Sequence, residues 1–102
     1  MAQMRKGILE LCVLAVLNRG DAYSTDIIET LKQSEVIVVE GTLYPILTRM
    51  KNQGYLSYRW EESKTGPPRK YYSITESGRV YFRILKKSWE EFSHSIHSIL
   101  KQ

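Results

Sequence analysis

A chain of 102 residues with 42% hydrophobic and 25% charged residues has the makeup of one folded domain with a modest core, which excludes a disordered polyelectrolyte. Its net charge is +4, and six cations stand against three acids between Glu40 and Tyr72, a clustering that suits a polyanion partner and also a plain solvated surface. The single cysteine, Cys12, excludes an internal disulfide framework or zinc cluster and fits a reducing cytoplasm, and no run approaches the roughly 18 apolar residues of a membrane span.

The first predicted element is a helix from Met4 to Asn18, apolar on most of its circumference through Ile8, Leu9, Leu11, Cys12, Ala15 and Val16. Arg5 and Lys6 ahead of that stretch faintly imitate a secretory leader, but Glu10 and the continuous helical pattern argue against one. Gly20 is expected to close this helix in the left-handed conformation. Ser24, as N-cap or beside it, opens a second helix to about Gln33, with Ile27, Ile28 and Leu31 inward. The connector Ser34–Val39 is expected to pair briefly as a strand through Val36 to Val39. A third helix starts between Glu40 and Thr42. With Thr42 as N-cap, Pro45 falls in the first turn, where its missing N–H costs nothing. It stops at Gly54, burying Leu43, Ile46 or Leu47, and Met50.

Tyr55 to Glu61 then alternates like a strand, Ser63 to Pro68 carries turn chemistry, and Arg69 to Ile74 reads as the return strand. Tyr55, Tyr58 and Trp60 are expected on the inner face of this hairpin, against the third helix. Thr75 as N-cap opens a last helix reaching Ile99 or Leu100, about 37 Å long at 1.5 Å per residue. The order predicts an α+β, mainly α fold: a winged helix-turn-helix with a long C-terminal dimerisation helix. Residues 1–75 form the DNA-binding part and 76–102 the dimerisation helix.

Apolar residues recur along the last helix at Tyr81, Leu85, Trp89, Phe92, Ile96 and Ile99. A core of three short helices and a hairpin cannot cover such a stripe. Leaving it wet forfeits about 1.5–3 kcal/mol for each large side chain. A two-fold homodimer pairing these helices is the expected remedy, and a helix folded back on its own chain is the alternative.

On the third helix, Thr42, Tyr44, Thr48 and Arg49 are the candidates for DNA, because a helix docks in the major groove by its first turns. Lys64 at the hairpin tip, with Arg69 and Lys70 on the return strand, supplies cations suited to phosphate or the minor groove. Tyr44 also reads as a core or interface tyrosine.

GTLYPILTRMKNQGYL, followed by a tryptophan and PPRKYYSITESG, resembles the PadR family of bacterial transcriptional regulators over nearly the whole chain. The single C-terminal helix is similar to the smaller PadR subfamily. That resemblance implies a winged-helix homodimer acting mostly as a repressor, often of transporter, detoxification or stress genes. It carries DNA contact onto Thr42, Tyr44 and Arg49, and wing contact onto Lys64, Arg69 and Lys70. The wing departs from the family pattern, since Thr65-Gly66-Pro67-Pro68 is stiffer than the glycine-rich turn of many relatives. Trp89, in KKSWEEF, resembles the tryptophan that multidrug-sensing relatives use to hold flat aromatic compounds between the two protomers. Trp89 and Phe92 are therefore candidates for a small planar effector, with a ligand-free dimer core as the other reading.

No catalytic constellation or phosphate-cradling glycine loop is present. His94 and His97 are three residues apart but lack further donors, so neither metal nor cofactor is expected. Three functions follow from these readings. The first is a sequence-specific repressor of a pseudo-palindromic operator, binding double-stranded DNA as a homodimer and released by an aromatic ligand. The others are a protein-interaction module and a non-specific architectural DNA binder.

Overall fold

A computed structural model describes the backbone of residues 2–101 and the side chains of residues 7–101. The Arg5–Lys6 pair therefore lies outside the described side chains. The elements are α1 (Ala2–Arg19), β1 (Ala22–Tyr23), α2 (Ser24–Gln33), α3 (Glu40–Asn52), β2 (Leu56–Ser63), β3 (Gly66–Ile74) and α4 (Glu76–Leu100). The three strands form an antiparallel sheet in the order β1-β3-β2. Leu14 and Leu17 of α1, Ile27 of α2, and Leu43, Leu47 and Met50 of α3 make the centre of the core, and Leu56, Tyr72 and Ile74 close it from the sheet.

The ends of α2 and α3 share one geometry. At α3, the N–H of Tyr55 donates to the Met50 carbonyl and that of Gly54 to Lys51, with Gly54 at φ 86°. At α2, Val36 donates to Leu31 and Glu35 to Lys32, with Glu35 at φ 65°. Both are Schellman closures, which need a left-handed residue just past the helix. Glycine takes that conformation freely, whereas glutamate gives up about 1 kcal/mol. The left-handed closure expected at Gly20 does not form, since Gly54 is the one glycine with positive φ among the described residues. The Gly20 N–H instead donates to the Leu17 carbonyl, and the chain runs straight into β1.

Two further expectations give way. Val36 to Val39 forms no strand; Val38 is instead buried in the core. The extra strand is β1, whose Ala22 and Tyr23 face Tyr72 and Tyr71 across β3. α3 starts at Glu40, within the expected range, but Thr42 is not its cap. Its N-cap is Val39, whose carbonyl accepts from both Thr42 and Leu43, so Pro45 is the sixth helical residue. A proline there takes away the bond to the carbonyl four residues back. That carbonyl belongs to Gly41, which is exposed, so water can satisfy it. Ser24 is the first residue of α2 rather than its cap, and the Tyr23 N–H is held by the Asp26 carboxylate at 3.0 Å.

The hairpin turns tightly at Lys64 and Thr65, with Ser63 paired to Gly66. Glu61 pairs with Arg69, so Pro67 and Pro68 together oppose Glu62. This bulge houses two residues that have no N–H for the ladder.

α4 is fastened at its start. The Thr75 hydroxyl accepts from the Gly78 N–H at 3.0 Å and donates to the Gly54 carbonyl at 2.7 Å. Thr75 is thus the N-cap that its sequence promised, and it also ties α4 to the exit of α3.

Candidate nucleic-acid interface

On α3, burial of Leu43, Ile46, Leu47 and Met50 leaves the opposite side to solvent. Thr42, Tyr44, Pro45 and Thr48 are exposed there, joined by Lys51 and Asn52 in the last turn. Lys64 is exposed at the tip of the β2–β3 wing. Between α3 and the wing runs a cleft of about 290 Å³ lined by Ser24, Thr25, Tyr44, Trp60, Arg69 and Lys70, together with Pro68 and Tyr72. Its lining carries hydroxyls and two cations and no carboxylate, a composition suited to a polyanion backbone.

Arg69 and Lys70 both line this cleft but rest on different aromatic rings. The Lys70 ammonium lies 4.6 Å from the Tyr58 ring centre and 5.5 Å from that of Trp60. Arg69 sits 4.1 Å over the Tyr23 ring and donates to the Thr25 hydroxyl. The Tyr44 hydroxyl is 3.2 Å from that of Ser24. Arg59, Asp21 and Glu61 form a separate exposed network behind the wing, with Arg59 bonded to both carboxylates at 3.1 and 2.8 Å. Those two carboxylates hold the Arg59 guanidinium above its usual range.

Trp60 differs from expectation. It is 61% exposed, because the hairpin outruns the core and carries it past α3 into the cleft. Tyr58, one pleat closer, is half-buried as expected. Alternation alone marked Trp60 as an inward residue and gave no sign of where the core stops. Ser24 and Thr25 also escaped notice, since their role depends on β1 placing the start of α2 beside β3.

Arg49 stands apart from the other candidates. Its guanidinium donates to Glu10 of α1 at 3.0 Å, and the Tyr81 hydroxyl of α4 donates to the other carboxylate oxygen at 3.3 Å. Glu10 is 9% exposed. Burial, and after it the Glu10 charge, pushes the Tyr81 hydroxyl up, so it stays a donor through neutral pH.

The model of the PadR-like transcriptional regulator family matches residues 13–84. The chain belongs to this family.

Solved PadR structures share the fold. One, described as a PadR-like transcription factor from Bacteroides fragilis, is 51% identical, covers 96% of this chain and 95% of its own, and has a TM-score of 0.85. A PadR-like transcriptional regulator from Bacillus cereus is 33% identical over 98% of each chain, with a TM-score of 0.83. A PadR family regulator from Eggerthella lenta is 29% identical, covering 99% of this chain and 88% of that one, with a TM-score of 0.87. An uncharacterised protein from Lysinibacillus sphaericus is 27% identical over 94 residues, 89% of this chain and 86% of that one.

In this PadR chain the apolar stripe of α4 divides. Tyr81 and Leu85 pack against their own core, so that part of the expected dimer seam is already partly covered within the chain. Tyr81 also stacks on Tyr55 at 4.2 Å with the rings 11° apart. Farther on, Trp89 is 42% exposed, Phe92 51%, Ile96 37% and Ile99 67%. Trp89 and Phe92 border a shallow hollow of about 280 Å³ with Gly7, Ile8, Leu11 and Leu85. No described helix is long and apolar enough to cross a membrane, and the described residues hold no cluster of metal-ligating side chains.

Proposed function

We propose that this PadR-like regulator is a homodimeric repressor of a pseudo-palindromic operator, with α3 in the major groove and the wing along the flanking backbone. The carrying observation is the exposed apolar stretch from Trp89 to Ile99, on a helix whose root is bonded to the DNA-facing unit. A second copy covers that stripe and presents two α3 helices to one duplex, about 34 Å apart for successive turns. The division of labour falls at Thr75. Thr42, Tyr44 and Thr48 read bases, while Lys64, Arg69 and Lys70, with Trp60 beside them, hold the backbone. Arg49 is withdrawn from this set by its bond to Glu10.

A gel-shift series over rising salt, with a selected operator and a scrambled duplex, tests the reading. A preference that persists at physiological salt is the expected result. Equal binding to both duplexes indicates an architectural binder, and binding to neither indicates a protein-interaction module. Lys64→Glu with Lys70→Glu should weaken binding to both duplexes alike. It should also flatten the dependence of log K on log salt by roughly 1.8 per protomer, at about 0.9 for each phosphate left without its cation.

The hollow beside Trp89 and Phe92 supports a planar aromatic effector seated at the dimer seam. In a Trp60→Phe background, the remaining Trp89 fluorescence should be quenched saturably by a planar cationic dye. An unchanged emission across the titration removes the effector from the reading.

A further inference from the structure

We infer that Glu10 is a three-helix clasp, with Arg49 and Tyr81 as its two arms, that fixes the angle between the recognition helix and the dimerisation helix. Its parts come from α1, α3 and α4, and the arms bond to different oxygens of one carboxylate, Arg49 to Oε1 and Tyr81 to Oε2. Glu10 is the one buried charged residue among those described.

A buried carboxylate is held by its partners far more firmly than an exposed one. Removing either arm leaves charge or lone pairs unsatisfied in a poorly solvated place. The bond lengths therefore tolerate little sliding of α3 against α4. Thr75 is bonded to the exit of α3 twice, by its hydroxyl to the Gly54 carbonyl and by its N–H to the Tyr55 carbonyl, and these bonds at the very start of α4 act as a pivot. Tyr81 lies more than a turn farther along, and its ring is held against Tyr55, on the chain leaving α3. A pivot and a second bond beyond it define an angle, which a pivot alone does not. In a dimer joined through the far end of α4, this angle sets the separation of the two recognition helices. Glu10, Arg49 and Tyr81 are then positioning residues for operator spacing, and Arg49 serves the DNA without touching it.

The inference rests on the dimer proposed above, and one measurement distinguishes the two failures. In a Cys12→Ser, Asn52→Cys background, a spin label at the exposed end of α3 reports the distance between protomers by double electron–electron resonance, without DNA. The unmodified clasp should give one narrow distance. Tyr81→Phe keeps the ring stack and removes only the hydroxyl, and Glu10→Gln removes the charge. Each should shift the distance or at least double its spread, with the fold retained by circular dichroism. Ile28→Val, a mild trim of α2 away from the clasp, should leave the distance as it was. Unchanged distances in both clasp variants overturn the inference while the dimer stands. An equal change in Ile28→Val overturns it too, as general loosening. Absence of any distance between protomers removes the dimer and the inference together.

Discussion

Phe92→Glu is expected to convert the proposed dimer into monomers and to abolish its binding to a selected operator. Phe92 stands in the middle of the exposed stripe of α4, between Trp89 and Ile96. Burying such a side chain contributes about 1.5–3 kcal/mol. A two-fold seam contains the residue twice, so the loss is roughly 3–6 kcal/mol even before the cost of facing a carboxylate to an apolar neighbour. By the tenfold-per-1.4 kcal/mol rule, the dimer weakens by about 10² to 10⁴-fold. Sedimentation equilibrium measures this directly. The isolated protomer should stay folded, because Phe92 takes no part in the buried core. Phe92→Leu should cost far less, since it keeps most of the apolar area. A glutamate variant that remains dimeric at micromolar concentration would mean that α4 is not the seam.

Gly78→Ala should be the most damaging single methyl in the chain. Gly78 is buried in the first turn of α4. A Cβ placed there would overlap the Tyr55 carbonyl oxygen and come within 2.8 Å of the Ile74 side chain. The first obstacle is backbone and cannot rotate away. Overpacking of this kind costs about 1–3 kcal/mol and at times more. For a chain of this size each kcal/mol lowers the melting temperature by about 4–8 °C, so a drop of roughly 10 °C or more is expected in a thermal scan. The damage should extend to DNA binding. The only local relief is to lift α4 off the Gly54–Tyr55 segment, which breaks the Thr75 bond to Gly54. By contrast, Gly41→Ala should be tolerated by the protein alone, because nothing lies within 4 Å of the added carbon. A Gly78→Ala protein with an unshifted melting temperature would contradict the tight approach of α4 to this segment.

The order of helices and hairpin was legible because periodicity survives averaging over many residues. α4 was read nearly to its last residue, since its stripe and its Thr75 cap are both local. So were the buried face of α3 and the Gly54 closure. What escaped the sequence depends on partners far along the chain. β1 is two residues long and has no alternation to detect; it exists because β3 passes beside it. The start of α3 at Glu40 fell within the expected range, but Pro45 pointed to Thr42 as its cap, whereas the cap is Val39, whose backbone geometry leaves no mark in the sequence. The bond from Arg49 to Glu10, 39 residues earlier, leaves no local signal in the sequence. Trp60 looked inward because alternation assigns a face without saying how far the core extends. The same limit applied to α4, where one continuous stripe is partly buried at Tyr81 and Leu85 and exposed from Trp89 onward.

The wing carries a hazard of its own. β2 ends the sheet, and among the described residues no strand lies along its outer side. An open row of amides and carbonyls is a template on which like hairpins stack into fibres. Here the exposed stretch bears Arg59, Glu61 and Glu62, and the doubled prolines bend the ladder near its tip. Charges resist desolvation, and a bent edge finds no straight mate. The hairpin can therefore reach far into water while remaining an unattractive seed for aggregation.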